Sequence, residues 1–227
     1  MTSIEFFASA EVAASAATEV VRQALLGAGR RTFVATGGRT PGTVYDSLSR
    51  LDLGWSGITV TLTDERFVDP SSHDSNARLI TTRLLTARAA GADFLALKGS
   101  GPTPEADARA VEASLARLLP ATVTLLGMGD DGHIGSLFPR DPQLAQRLDP
   151  ASPQLVVGVD ASGEKPFVPR ISLTVRALLS TGQIVILITG EGKRAVMEKA
   201  LSKADVNLPV AAIVRQSATP VRIFWAP

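Results

Sequence analysis

Strand-like and helix-like stretches alternate along this chain, which predicts an α/β fold with a mostly parallel sheet and helices on both faces. Three observations carry that reading. Short β-branched runs such as Thr32–Thr36, Ile58–Thr63, Thr122–Leu126 and Ile184–Ile188 lack polar alternation, as strands buried on both faces should. Helix-length segments separate them, which is the order that builds parallel sheets. Glycine-rich turns follow several of the runs, where a strand gives way to a helix. The 227 residues contain no linker, repeat or low-complexity tract, so residues 1–227 are read as a single domain.

Taken in order, Ser3–Phe7 is expected as a strand and Ser9–Leu26 as a helix with Ser9 as N-cap. Val12, Ala16, Val20 and Leu25 recur close to helical spacing, and Gly27 and Gly29 supply the stop. Thr32–Thr36 runs into Gly37-Gly38-Arg39-Thr40-Pro41, with Pro41 at a helix start that tolerates its missing N–H. Ile58–Thr63 is the next strand, Asn76–Thr86 a helix, Phe94–Leu97 a short strand and Pro104–Leu118 a helix. Thr122–Leu126 is a strand that ends in a glycine-rich loop from Gly127, and Pro139–Pro153, rich in Pro and Asp, reads as a surface crossing. Later strands are Leu155–Val159, Ile171–Val175, Ile184–Ile188 and Val221–Trp225, with helices near Lys193–Leu201 and Val210–Arg215.

Composition removes whole classes of function. A 45% hydrophobic, 20% charged chain can build a full core without staples. The balance of 23 basic against 22 acidic residues argues against a nucleic-acid partner held by a strongly basic surface. With no cysteine there is no disulfide framework, thiol nucleophile or Cys-based metal site, and His73 and His133 alone are too few for a multi-histidine centre. The N-terminus carries Glu5 and no basic n-region, so it is not a signal peptide, and Ile184–Ile188 is far too short to span a bilayer. A soluble, cytoplasmic protein with no membrane partner is expected, either a monomer or a small homo-oligomer.

Open α/β sheets bind ligands beyond the carboxyl ends of their strands, and four polar stretches fall at predicted strand ends. Thr36-Gly37-Gly38-Arg39-Thr40-Pro41 can present backbone N–H groups to an anion at a helix start. It is equally consistent with a tight turn that needs glycine for conformation alone. Thr63-Asp64-Glu65-Arg66 can position a polar ligand or form a surface salt bridge, and Asp74-Ser75-Asn76 can serve simply as the next helix cap. The third stretch, from Leu126 to His133, formally holds Gly-x-Gly-x-x-Gly at Gly127, Gly129 and Gly132. It is not a dinucleotide fingerprint, because Pro139 interrupts the required helix and Asp149 lies in a Pro-rich loop. Asp131 and His133, flanking Gly132, suit proton transfer instead: a carboxylate can orient the imidazole and stabilise its charged form. His73 has no such setting and reads as surface. The fourth stretch is split between Pro169-Arg170 and Gly190-Glu191-Gly192-Lys193. With Arg39 and Arg66, these supply four cations that together suggest an anionic ligand, most simply a phosphate ester.

Together these residues resemble the 6-phosphogluconolactonase family. The blocks are Ala35-Thr-Gly-Gly-Arg-Thr-Pro41, Asp64-Glu-Arg-Phe-Val68 with Asp74-Ser-Asn76, Leu126 through Pro139, Pro169-Arg-Ile-Ser-Leu-Thr174 and Gly190-Glu-Gly-Lys193. The wider superfamily includes glucosamine-6-phosphate deaminases, in which a glutamate follows the loop histidine by five residues; Phe138 stands there in this chain. Arg39 replaces a usual small hydroxyl residue and Asp69 a usual proline.

The resemblance implies a modified Rossmann-like sandwich without a nucleotide, and no metal or redox cofactor. It implies hydrolysis of 6-phospho-D-glucono-1,5-lactone to 6-phosphogluconate in the oxidative pentose phosphate pathway. His133 is then expected as general base and Asp131 as its orienting partner. Gly37, Gly38, Arg39, Thr40, Asp64, Arg66, Arg170 and Lys193 are expected to bind the sugar-phosphate lactone. A related sugar-phosphate sensor domain would carry a DNA-binding module, and no helix-turn-helix segment precedes the first strand here.

Overall fold

The apolar runs pair into two sheets in the computed structural model, which describes residues 3–160, 168–202 and 208–227. The larger sheet contains β1 (Ile4–Phe6), β2 (Arg31–Ala35), β3 (Ile58–Leu62), β5 (Asp93–Phe94), β6 (Val123–Leu126), β9 (Ile184–Thr189) and β10 (Val221–Ala226). Its order is β1-β10-β9-β6-β2-β3-β5 and every pairing is parallel. All of β6 and the first five residues of β9 are buried. Since successive side chains point to opposite faces, both faces of the sheet are covered there.

β4 (Asp64–Arg66), β7 (Val156–Val159) and β8 (Arg170–Leu173) form a second, antiparallel sheet in the order β4-β8-β7. This corrects the expectation that Leu155–Val159 and Ile171–Val175 join the parallel sheet. A short β-branched run reports burial and not the direction of its partner. Thr63 joins the two sheets: its N–H donates to Ala35 O at 2.8 Å, and its carbonyl accepts from Leu173 N at 2.9 Å.

The helices are α1 (Ala10–Leu25), α2 (Gly42–Leu48), α3 (Asn76–Arg83), α4 (Pro104–Ala116), α5 (Leu144–Leu148), α6 (Val175–Leu179), α7 (Glu191–Leu201) and α8 (Ala211–Val214). Ser9 caps α1 by accepting from Val12 N. The buried face of α1 is Ala13, Ala14, Ala17, Thr18, Val21 and Leu25, while Val12 is 49% exposed. The stripe therefore lies one position beyond Val12, Ala16 and Val20. Alanine lets this helix pack closely on β6, β9 and β10 but adds little to a hydrophobic pattern. Pro139–Pro153 is more than a surface crossing, because it contains α5 and a buried ion pair between Asp141 and Arg147. The strand expected to reach Val175 stops at Leu173, where Thr174 caps α6 by accepting from Ala177 N.

No helix among the described residues is long and apolar enough to cross a membrane. From β2 the chain passes to β3, whereas from β6 the next strand of this sheet is β9, on the opposite side. The carboxyl ends of β2 and β6 therefore flank a topological switch point, where such sheets open a crevice.

Candidate active site

Two loops meet at that switch point. The loop after β2 is tied to the loop after β6 by Thr36 Oγ1, which accepts from Gly127 N at 3.4 Å. Gly38 has φ +100°, a left-handed conformation that suits glycine, and a Cβ on Gly37 would collide with the Asn76 amide. The turn thus needs its glycines for conformation and close approach, and it also faces the crevice.

After β6, Gly129 N donates to His133 O at 2.9 Å and Gly132 N to Gly129 O at 3.1 Å, closing the loop on itself. Asp131 Oδ1 accepts from the His133 backbone N–H at 3.1 Å and lies 2.6 Å from Nδ1. Partial burial alone would raise the Asp131 carboxyl. The hydrogen bonds and charge of His133 outweigh it, leaving the group below its ordinary value. The ionised carboxylate then holds the proton on Nδ1 and leaves the Nε2 lone pair for a reacting group.

The small sheet supplies the opposite wall. Arg66 and Arg170 are directly paired across β4 and β8, so both side chains leave the same face of the sheet. Arg66 Nη1 donates to Asp74 O at 2.6 Å, while its Nε is buried with no partner among the described residues. Asp64 is buried, its two carboxylate oxygens accepting from Thr63 Oγ1 at 2.9 Å and Ser136 Oγ at 2.7 Å. Asn76 Nδ2 donates to Asp64 O at 2.8 Å.

Glu65, 1% exposed, turns away to clamp α3. It accepts from the backbone N–H groups of Arg66, Asn76 and Ala77, each at 2.7 Å, and from Ser75 Oγ at 3.1 Å. Burial pushes its carboxyl up, and these donors pull it only part of the way back. The segment is therefore not a surface salt bridge. Ser75 does cap α3, accepting from Arg78 N, but Asn76 beside it reaches the crevice.

The crevice has a volume of about 470 Å³, within the range of small-molecule sites. It is lined by the Gly37–Thr40 turn, Asp64, Arg66, His133, Arg170 and Lys193, while Asp131 stands behind His133. Arg39, Arg66, Arg170 and Lys193 face the carboxylates of Asp64 and Asp130, which favours an anionic ligand. Lys193 comes from the first turn of α7, next to Thr189 at the end of β9. His73 is exposed, with its Nδ1 2.7 Å from Arg78 Nη1. Asp69, in the loop after β4, accepts from the backbone and hydroxyl of Ser71 at 2.8 and 2.6 Å.

Sequence reasoning did not assign Asn76 or Thr189 to the crevice, nor the Glu65 clamp. Asn76 and Glu65 lay inside stretches already singled out by their polarity, and Thr189 carried no signal beyond ending a strand. In the sequence Phe138 stands out only as the absence of a glutamate. It is 3% exposed, and its ring centroid lies 4.7 Å from that of His133.

A histidine–carboxylate pair in a cation-lined crevice, at the switch point of a parallel sheet, defines an α/β enzyme acting on a small anionic molecule. Residues 7–225 match the family model described as glucosamine-6-phosphate isomerases/6-phosphogluconolactonase. The chain is 44% identical to a 6-phosphogluconolactonase of Caulobacter vibrioides, over 98% of this chain and 97% of that one. It is 40% identical to one of Rhizobium meliloti, covering 90% and 88%. The crystal structure of a 6-phosphogluconolactonase from Shewanella baltica superposes with TM-score 0.94 at 33% identity, covering 100% of this chain and 98% of that one. The chain belongs to the glucosamine-6-phosphate isomerase/6-phosphogluconolactonase family.

Proposed function

We propose that the crevice hydrolyses 6-phospho-D-glucono-1,5-lactone to 6-phospho-D-gluconate, the lactone step of the oxidative pentose phosphate pathway, with His133 as general base. Lactone hydrolysis is the activity that the names of its full-length relatives carry. The observation that carries the mechanism is the 2.6 Å contact between Asp131 and His133 Nδ1, which leaves Nε2 as the base. Nε2 takes a proton from water as the water oxygen bonds to the lactone carbonyl carbon. The tetrahedral intermediate then collapses, the ring C–O bond breaks, and the imidazolium returns its proton to the departing ring oxygen. Asp131 stabilises the imidazolium between these two transfers.

Arg66 and Arg170 would clamp the phosphate: paired across β4 and β8, they leave the same face of the small sheet and both line the crevice. Lys193 adds a point charge from α7, and the Gly37–Thr40 turn offers backbone N–H groups to the remaining oxygens.

The test is loss of freshly generated lactone, with buffer alone recording spontaneous hydrolysis. The wild-type protein should accelerate it, and H133A should lower kcat by roughly a hundredfold or more. Near-normal kcat in folded H133A would remove the base assignment. No acceleration by the wild type, with turnover of glucosamine 6-phosphate, would move the chain to the isomerase side of its family.

A further inference from the structure

We infer that Phe138 is a positioning residue that aims the His133 imidazole. The inference rests on the hydrolytic reading of His133. A single hydrogen bond from Nδ1 to Asp131 sets the direction of the ring but leaves rotation about that bond weakly restrained. The side chain of His133 is 31% exposed, so general burial does not hold it either. Two contacts restrict the tilt. On one side the imidazole rests against Gly129, where an added Cβ would come within 3.0 Å of Cε1 and Nδ1. The second contact is with the Phe138 ring, inclined 50° to the imidazole with centroids 4.7 Å apart.

Phe138 is suited to that task because it is itself held. It packs with Val157 and Val159 in a small buried cluster separate from the main core. Both valines belong to β7, in the small sheet that also carries Arg170. The Arg170 Cζ lies 5.9 Å from the Phe138 centroid. One aromatic ring therefore links the base to the wall that carries a substrate-facing cation. A flexible aliphatic side chain would fill the same apolar space without a flat face to fix the imidazole. Small misplacements of a reacting group are costly in rate.

The experiment pairs kinetics with NMR of the histidine rings. The chain has two histidines, and His73 is exposed and outside the crevice, so an H73Q variant assigns both sets of resonances. In wild-type protein the ring-proton shifts of His133 should be displaced by the aromatic neighbour. In F138L they should move toward those of His73, kcat should fall by about tenfold or more, and KM should stay within about twofold.

F138L with wild-type kcat, or with KM moved and kcat unchanged, overturns the proposal. So do His133 resonances that F138L leaves unmoved. If circular dichroism shows that F138L is unfolded, F138M supplies the same measurements with a more adaptable apolar side chain. Wild-type His133 resonances without an aromatic displacement overturn the proposal on their own. Absence of lactone hydrolysis by the wild type removes the hydrolytic reading, while the ring shifts still report separately whether Phe138 restrains His133.

Discussion

Asp131 makes its contribution through one oxygen shared between the backbone and ring nitrogens of His133. Because its folded pKa lies below the ordinary 3.8, the unfolded chain binds more protons over that interval. The stabilisation is thus complete above the unfolded value and is lost as pH falls through the folded one. Comparing denaturant unfolding of wild type and D131N should show a difference that shrinks as pH falls below about 4. A difference that instead grows on acidification would contradict the sign. D131N should also lower kcat by roughly a hundredfold, since the amide neither stabilises imidazolium nor enforces the tautomer. G129A is the steric counterpart. Its methyl would enter the space of His133 and Asp131, so turnover should collapse while the far-UV spectrum remains native.

Glu65 makes β4 and α3 a single unit, and that unit carries Asp64, Arg66 and Asn76 to the crevice. E65Q keeps the shape but turns one acceptor into a donor facing backbone N–H groups. It should cost about 1–3 kcal/mol in unfolding free energy and raise KM as the wall loosens; a thermal melt and a KM measurement check both. Removing one partner of the buried Asp141–Arg147 pair should cost roughly 3–5 kcal/mol, so D141A is expected to unfold at much lower urea. At this scale the sequence was legible where a pattern is local. The buried strands, the Ser9 and Ser75 caps and the glycine loops all have signatures within a few residues, whereas the Thr174 cap lies inside a run that reads as strand. The antiparallel sheet did not, because Val156–Val159 and Arg170–Leu173 look like any buried β-branched run. The residues of the crevice stand in the sequence as separate polar stretches, yet the Arg66–Arg170 pairing joins strands far apart in the chain, and the Phe138–His133 contact depends on how their shared loop folds back on itself.

The whole chain has a formal charge of only +1, yet four of its cations line one crevice. The attraction for an anionic ligand is therefore local and subject to screening. Under the proposed activity, kcat/KM should fall as salt is raised from about 10 mM to 150 mM, over which the screening length contracts from about 30 Å to about 8 Å. R66Q or K193Q should flatten that dependence as well as weaken binding, and a salt response identical to wild type would exclude the altered residue from the substrate field. The parallel sheet has another consequence, for synthesis. β1 pairs with β10, register Ile4 with Ile223, and β10 in turn covers the flank of β9. A ribosome makes Ile4–Phe6 long before Val221–Ala226. Until β10 emerges, β1 has no partner in this sheet, and once β9 is made its flank stays open to strands of other nascent chains. The interval between the synthesis of β9 and that of β10 is therefore when this sheet is most exposed to aggregation.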